Sequence, residues 1–269
     1  MSPMSVKDIQ DVCLDILKEF HSFCIANNLR YSLEGGTLLG AIRHQGYIPW
    51  DNDVDVMMPR PDYNRFVALY KDNEKYACFA DERKNCFIAY ARLADMKRTY
   101  VKPANMWANR ETGVWIDVFP VDGVESDKKE FDKTVKKIFK IWRNTCLSRD
   151  AMCGFRGCKT IEDILKLPIK KLIYCSAVYR YLYYHLEICH RFDYDSSDKV
   201  SIVAYSGDSK LYFPRTIMEK YVEVPFENAR LYAIENYHLY LSSEFGDYMQ
   251  LPPVNQRFVH DMHCYYWRD

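Results

Sequence analysis

The sequence predicts an α+β fold, in which a mixed β-sheet core is flanked by helices and followed by an additional helical C-terminal part. Three observations support this class. Short strand-like and helical segments alternate over the first 125 residues, two long helical patterns follow, and short strands return near the C-terminus. We therefore expect a core at 1–125 and a helical and mixed region at 126–269, with one domain containing both as the alternative.

The first elements are predicted from apolar spacing and capping residues. Ser5 can cap an amphipathic helix that ends at Asn27 and Asn28. A short strand ending in a glycine turn, a short helix and a strand with alternating side chains follow, at RYSLEGG, TLLGAIRH and DVDVMM. Pro61 suits the first turn of the next helix, PDYNRFVALY.

The later elements are predicted in the same way. Two further strands are expected at CFIAYARLA and GVWIDVFP. Residues 128–149 and 161–192 have the spacing of long helices, and Pro168 is expected to interrupt the second. The chain then predicts strands at SIVAY and YVEVPF, a helix over ENYHLYLSSEF and an irregular end, GDYMQLPPVNQRF.

Composition narrows the class of protein. The 37 basic residues balance the 37 acidic ones, which does not suggest a nucleic-acid-binding surface. The N-terminus, MSPMSVKDIQ, is charged where a signal peptide is apolar, and no run reaches the roughly 18 apolar residues of a membrane span. We expect a cytoplasmic protein whose ten cysteines are reduced, with most of them buried.

Two aspartates form the first candidate site. Asp53 and Asp55 are one residue apart on a predicted strand, so both project from one face, while Val54 and Val56 point into the core. Paired carboxylates repel each other unless a counter-ion lies between them, and oxygen ligands suit Mg²⁺. Alone, such a pair is more often a solvated strand edge.

The flanking residues favour the metal interpretation. Gly35 and Gly36 lie between a strand and a helix, where backbone N–H groups can hold phosphate. Arg43 and His44 close that helix and Arg60 follows the acidic strand, a spacing suited to a metal-bound diphosphate. Separately, the glycines would indicate only a turn and the cations ordinary surface residues.

The combined pattern resembles a known signature. A glycine turn with an acidic pair 17 positions later resembles the nucleotidyltransferase superfamily, whose third carboxylate lies on a later strand. Asp117, in GVWIDVFPVDG, occupies that place. More narrowly, GGTLLGAIRHQGYIPWDNDVDVMMPRPDYNRF followed by WIDVFPVDG is similar to the LicD family of phosphocholine transferases, which includes fukutin-like proteins. The likeness covers about residues 10–123, with a short echo in EFGDYMQLPP.

The resemblance implies a nucleotidyltransferase-like fold and a Mg²⁺-dependent reaction. A CDP-activated donor such as CDP-choline would give its phospho-alcohol group to a sugar hydroxyl of a cell-envelope glycan precursor, such as teichoic acid, capsule or lipooligosaccharide. Asp53 and Asp55 become metal ligands, and Gly36 with Thr37 part of the phosphate-binding turn. Asp117 is either a further metal ligand or the base, and Asp51 adds an outer-shell contact.

Other side chains are candidates for binding the substrate. Arg92, with Arg43 or Arg60, can stabilise the leaving CMP or the transferred phosphate by forked hydrogen bonds. A quaternary ammonium would contact aromatic faces, for which Trp50, Trp107, Trp115 and the tyrosine-rich stretches are candidates, although core packing is the commoner role of such rings.

Several alternatives stay open. The same residues could transfer a nucleotide with release of diphosphate, could use ribitol or glycerol phosphate, or could only sense a nucleotide, although three carboxylates argue against pure sensing. A zinc site at Cys146, Cys153 and Cys158 is disfavoured because no C-x-x-C pair occurs. The aromatic, basic segment YRYLYYHLEICHRF suits either peripheral membrane contact or buried helix packing.

Overall fold

The computed structural model describes residues 1–102, 107–153, 160–174, 178–205, 208–257 and 265–268, and confirms the α+β class. The helices are α1 (Val6–Ala26), α2 (Gly35–His44), α3 (Arg60–Leu69), α4 (Lys128–Cys153), α5 (Ile161–Tyr174), α6 (Val178–Cys189) and α7 (Tyr237–Phe245). The strands are β1 (Ser32–Leu33), β2 (Asp55–Pro59), β3 (Tyr76–Phe79), β4 (Ala91–Asp95), β5 (Thr99–Val101), β6 (Trp115–Val124), β7 (Lys199–Ser201), β8 (Phe213–Pro214), β9 (Tyr221–Phe226), β10 (Ala229–Ile234) and β11 (Tyr265–Trp267).

The main sheet is mixed. Its strand order is β1-β2-β6-β4-β3, and the long strand β6 also pairs with β7, which pairs with β8. Strands β2 and β6 run parallel, whereas the other neighbouring pairs are antiparallel. Two smaller pairs, β9 with β10 and β5 with β11, lie outside this sheet. The parallel pair carries two of the predicted carboxylates, Asp55 and Asp117.

Helix α1 forms as its sequence predicts. The Ser5 hydroxyl accepts a hydrogen bond from the Asp8 N–H at 3.1 Å, and the Asp8 carboxylate accepts the Ser5 N–H at 2.8 Å. This reciprocal capping satisfies two N–H groups that the helix leaves unpaired. Most of the apolar face is buried, including Ile16, Leu17 and Phe20, and the helix packs against β4 and β6.

Several element boundaries differ from the sequence predictions. The glycine pair lies in the first turn of α2 rather than before it, and β2 begins at Asp55, so Asp53 precedes the strand. Strand β4 begins at Ala91, five residues later than expected. The predicted interruption at Pro168 is wrong, because α5 continues through it to Tyr174. A separate helix, α6, covers Val178–Cys189 and ends before Phe192. Strands β3, β5, β8, β10 and β11 were not predicted.

Residues on both sides of position 125 share the main sheet. Strand β7 pairs with the end of β6, with Asp122 opposite Ser201. The β9–β10 hairpin approaches the other edge, where the Ile234 N–H donates to the Ser32 hydroxyl at 3.0 Å. The later part of the chain therefore covers and extends the first, while the proposed boundary at 125 stays a prediction.

Two further expectations can be compared with the structure. Cys13 and Cys24 are buried, and the described cysteines Cys13, Cys24, Cys78, Cys86, Cys146 and Cys189 are free thiols. None of the helices in the described ranges combines the length and the apolarity needed to cross a bilayer.

Candidate active site

A cavity of about 690 Å³ opens where β2, β6 and β4 meet the start of α2. Its wall carries seven carboxyl side chains: Glu34, Asp51, Asp53, Asp55, Asp117, Asp208 and Glu244. Arg92 is the one arginine or lysine among the described residues that line it. Aromatic side chains complete the wall: Tyr90, Trp115, Phe119, Tyr205, Phe245 and Tyr265. The lining is therefore both strongly acidic and rich in aromatic rings.

Sheet register aligns three of the predicted site residues. Asp55 of β2 lies opposite Asp117 of β6, and Asp117 lies opposite Arg92 of β4. Residues opposite each other on neighbouring strands project from the same face. Residues 62 positions apart in sequence thus form one row, Asp55–Asp117–Arg92, across the floor of the cavity.

The start of α2 fixes the backbone of Asp55. The Asp55 N–H donates to the Thr37 hydroxyl at 2.9 Å, and the Asp55 carbonyl accepts the Glu34 N–H at 3.0 Å. Thr37 is buried and does not line the cavity, so its hydroxyl positions the strand rather than contacting a ligand. Thr37 was predicted to belong to a phosphate-binding turn, but in this arrangement its side chain does not reach the cavity.

Both glycines line the cavity, and both have a local reason to be glycine. Gly35 has φ +48°, in the left-handed region that side chains with a Cβ disfavour. A Cβ on Gly36 would lie 2.8 Å from a carboxylate oxygen of Asp51, so the Asp51 side chain would have to move. Through Gly36 the helix start therefore lies directly against the first aspartate of the acidic run.

Arg92 and Asp117 form a tightly held pair. The Arg92 Nε donates to one oxygen of Asp117 at 2.6 Å and an NH₂ group donates to the other at 3.3 Å. The guanidinium lies 4.3 Å from the Trp107 ring centroid and 4.4 Å from that of Trp115, so cation–π contacts add to the ion pair. Arg92 therefore reaches the cavity, as predicted, but already binds a carboxylate there.

The pKa values of the carboxyls reflect burial and crowding. Burial raises the pKa of Asp55 well above its ordinary value, and the charges of Asp53 and Asp117 raise it further. Burial also raises the pKa of Asp117, although the Arg92 guanidinium opposes the shift. Such a group of acids gains stability from any added positive charge.

The donor set fits a divalent cation held by two carboxylates. In the described part of the chain, no three His, Cys, Asp or Glu side chains converge as a ready-made metal site. Asp117 is thus not brought together with Asp53 and Asp55 into a three-carboxylate cage. However, Mg²⁺ in phosphate-transferring sites commonly takes one or two carboxylates, with water and substrate phosphate as its other ligands. Asp53 and Asp55, both lining the acidic wall, meet that requirement.

Sequence reasoning missed a second acidic group. Glu34, immediately before the glycines, is buried and accepts a hydrogen bond from the Tyr240 hydroxyl at 2.6 Å. Burial, with the charges of Asp53 and Asp117, raises the pKa of Glu34 to about 7. Burial and the Glu34 charge raise the pKa of Glu244 to about 8. The segment EFGDYMQLPP, which shares the resemblance to the LicD family, begins at Glu244 and was the signal that could have identified Glu244.

The remaining predicted cations are not brought to the cavity wall. Arg60 is buried at the opposite end of β2, where its Nε donates to Asp122 at 2.5 Å. Arg43 donates to the Tyr248 carbonyl at 2.8 Å and to His44 at 3.0 Å. The residues that line the cavity do not include Arg43, His44 or Arg60. Arg60 stabilises the junction of β2 and β6 instead.

The predicted aromatic and cysteine sites can also be located. Trp115 lines the cavity with one face against Arg92, whereas Trp50 packs against Arg257 outside it. Cys146 accepts a hydrogen bond from Arg149 at 3.1 Å. Cys158 and the side chain of Cys153 lie outside the described residues, so the zinc alternative is not tested.

The chain is similar to several known proteins. Residues 28–151 match the family model described as LicD/FKTN/FKRP, nucleotidyltransferase domain. The lipopolysaccharide cholinephosphotransferase LicD of Haemophilus influenzae is 30% identical over 276 residues, covering 97% of this chain and 97% of that protein. The human ribitol 5-phosphate transferase FKRP is 50% identical over 48 residues, which is 16% of this chain and 10% of that protein.

These similarities, with the acidic cavity, define the protein as an enzyme of the phosphotransferase class. Because the likeness to a curated member extends over nearly the whole of both chains, the chain belongs to the LicD family.

Proposed function

We propose that the protein transfers phosphocholine from a CDP-activated donor such as CDP-choline to a sugar hydroxyl of a cell-surface glycan precursor, with release of CMP. The observation that carries this proposal is the full-length similarity to a lipopolysaccharide cholinephosphotransferase. The reaction would take place in the cytoplasm, where nucleotide-activated donors are available.

The charge of the cavity favours choline over neutral alcohols. Seven carboxyl side chains and one arginine are among the described residues that line the cavity, so the wall is acidic in character. A transferred group with a quaternary ammonium is attracted to such a wall, whereas ribitol and glycerol carry no charge. The rings of Tyr90, Phe119 and Tyr205, with centroids 4.7 to 6.3 Å apart, offer aromatic faces to the ammonium.

The residues divide into three roles. Asp53 and Asp55 would hold a divalent cation such as Mg²⁺, which when bound would neutralise charge on the donor diphosphate. The backbone N–H groups in the first turn of α2, at Gly35 and Gly36, bind phosphate oxygens at the positive end of the helix dipole. Arg92 orients Asp117 beside them.

Asp117 is our candidate proton acceptor. The acceptor hydroxyl oxygen bonds to the choline-bearing phosphorus, the bond from that phosphorus to the bridging oxygen breaks, and CMP leaves with the electron pair. The hydroxyl proton passes to Asp117, whose pKa is raised by burial although the Arg92 guanidinium opposes the shift, which makes it a stronger base than an ordinary aspartate. Asp117→Asn should then abolish transfer but keep the binding of Mn²⁺, measured by electron paramagnetic resonance. Loss of Mn²⁺ binding would instead make Asp117 a metal ligand.

Product analysis tests the proposed reaction. Purified protein with Mg²⁺ and a lipopolysaccharide or teichoic acid acceptor should release CMP from CDP-choline, and EDTA should stop the release. CDP-ribitol and CDP-glycerol serve as the competing donors. Release of diphosphate from a nucleoside triphosphate would support nucleotide transfer instead, and CMP release from CDP-ribitol alone would favour the activity named for the FKRP relatives.

A further inference from the structure

Helix α5 exposes an apolar stripe. Ile161, Leu165 and Ile169 follow one another at intervals of four residues and are 78%, 73% and 61% exposed. Apolar residues at this spacing form one face of a helix, which in a water-soluble domain normally packs against the core. Among the described side chains of α5, only Leu167 is buried. The stripe therefore needs a partner that the rest of the described chain does not supply.

The neighbouring helices also expose aromatic side chains. Helix α4 packs against both α5 and α6. Tyr179 and Tyr183, one helical turn apart on α6, are 66% and 65% exposed. Phe139 of α4 is half exposed. Tyrosine rings combine an apolar body with a polar tip and suit the boundary between lipid and water.

Positive charge is concentrated on the same helical lobe. Residues 128–149 contain eight basic and two acidic residues, a surplus of six in a chain whose net charge is zero. Lys136, Lys137, Lys140 and Arg143, which surround Phe139 in sequence, are exposed and form no ion pair with the described residues. These side chains are free to meet an external anion.

We propose that the outer surface of α4, α5 and α6 binds an anionic lipid bilayer. The apolar stripe and the tyrosines would enter the headgroup boundary, and the α4 cations would contact lipid phosphates. A second copy of the chain fits less well, because a two-fold interface here would bring two lysine-rich helices together. Trp142, also on α4, contacts Tyr205 of the cavity wall at 5.5 Å between ring centroids, so the surface adjoins the active site.

Vesicle co-sedimentation with the full chain tests the proposal without depending on the donor or acceptor. We expect binding to vesicles of phosphatidylcholine mixed with phosphatidylglycerol, weaker binding to phosphatidylcholine alone, and loss of binding as salt rises. The triple variant Ile161→Asn, Leu165→Asn, Ile169→Asn should reduce partitioning at least about tenfold, and so should Lys136→Glu, Lys137→Glu, Lys140→Glu.

A control variant distinguishes loss of this surface from a general loss of exposed apolar side chains. Leu239→Asn with Val254→Asn removes two exposed apolar side chains elsewhere, 50% and 76% exposed, and should bind vesicles as the wild type does. Circular dichroism and melting temperature confirm that each variant is folded. Absence of binding to anionic vesicles would overturn the proposal. So would equal binding by all variants, or a dimer in sedimentation experiments that the α5 triple variant abolishes.

Discussion

Single carboxylates in the cavity should destabilise the fold when no cation is bound to them. Asp55 is partly buried, the charges of Asp53 and Asp117 lie close to it, and Arg92 pairs with Asp117. Groups arranged for binding commonly cost stability, because they are complementary to a ligand rather than to each other. Substitutions at single residues should therefore separate activity from stability.

Asp55→Asn should strongly reduce transfer and yet stabilise the fold. Removal of the charge should lower activity on the order of 10²- to 10³-fold, since a cation ligand is lost. In EDTA the melting temperature should rise by about 2 °C, which corresponds to roughly 1 kcal/mol, because a charge crowded by other carboxylates is removed. Differential scanning calorimetry and CMP release measure the two effects. Asp11→Asn, at an exposed aspartate paired with Lys7, is the control and should change neither.

Arg92→Met should destabilise the protein through Asp117. The substitution leaves a largely buried carboxylate, 16% exposed, without its partner, a loss that typically costs about 3 kcal/mol. Asp117→Asn added to Arg92→Met should recover most of it, which denaturant unfolding of the four proteins in a double-mutant cycle would reveal. Additive effects of the two substitutions would show that the pair is not coupled.

The raised pKa of Glu34 should make the stability of the protein depend on pH. Its pKa in the folded protein, about 7, exceeds the ordinary 4.5, so the folded state binds more protons between those values. The free energy of unfolding should therefore fall as pH rises through 4.5 to 7, on the order of 3 kcal/mol for this group. Glu34→Gln keeps an acceptor for the Tyr240 hydroxyl. The variant should show a flatter dependence of the unfolding free energy on pH, measured in EDTA between about pH 5 and pH 8. An unchanged slope would assign the dependence to other acids.

At the scale of elements, α2 and β2 act as one unit. The helix start holds the Asp55 backbone through the Thr37 hydroxyl, and Gly35 allows the turn that brings strand and helix together. Much of this unit was predictable, because its carboxylates, glycines and strand alternation are local in sequence. The position of β2 relative to Asp53 was not, because strand ends depend on the pairing partner, here β6.

Thr37→Val should loosen this unit without removing a ligand. The variant keeps the shape of the side chain but leaves the buried Asp55 N–H without an acceptor, at a cost of about 2 kcal/mol. Thr37→Ser retains the hydroxyl and should lose much less. Thermal unfolding of both variants measures the difference, and equal destabilisation by Val and Ser would mean that the methyl contact, not the hydrogen bond, matters.

Other elements could not be predicted because they depend on tertiary partners. Strand β5 has three residues and pairs with β11, which lies more than 160 positions later. The pairings of Arg60 with Asp122 and of Arg92 with Asp117 follow from sheet register, which sequence spacing does not reveal. Sequence patterns therefore identified the acidic centre, but they assigned free cations to a phosphate site when two of those cations already bind carboxylates.

At the scale of the whole molecule, the later half supplies structural support to the earlier one. Strand β7 extends β6, the β9–β10 hairpin bonds to β1, and α7 places Tyr240 against Glu34. A chain ending at residue 125 should therefore fail to fold cooperatively, because it loses these contacts and exposes the apolar side chains that they cover. Limited proteolysis and calorimetry of the 1–125 fragment test this. A protease-resistant fragment with a single melting transition would establish a separate domain.

The two indole rings that enclose Arg92 make the cavity optically observable. Trp107 and Trp115 are two of the five tryptophans in the chain, and Trp115 lines the cavity. Indole emission responds to nearby charge and to exclusion of water, so occupation of the cavity by a charged donor should shift its intensity or wavelength. The enzyme therefore contains a label-free fluorescent reporter, with which donor binding can be titrated in the absence of turnover.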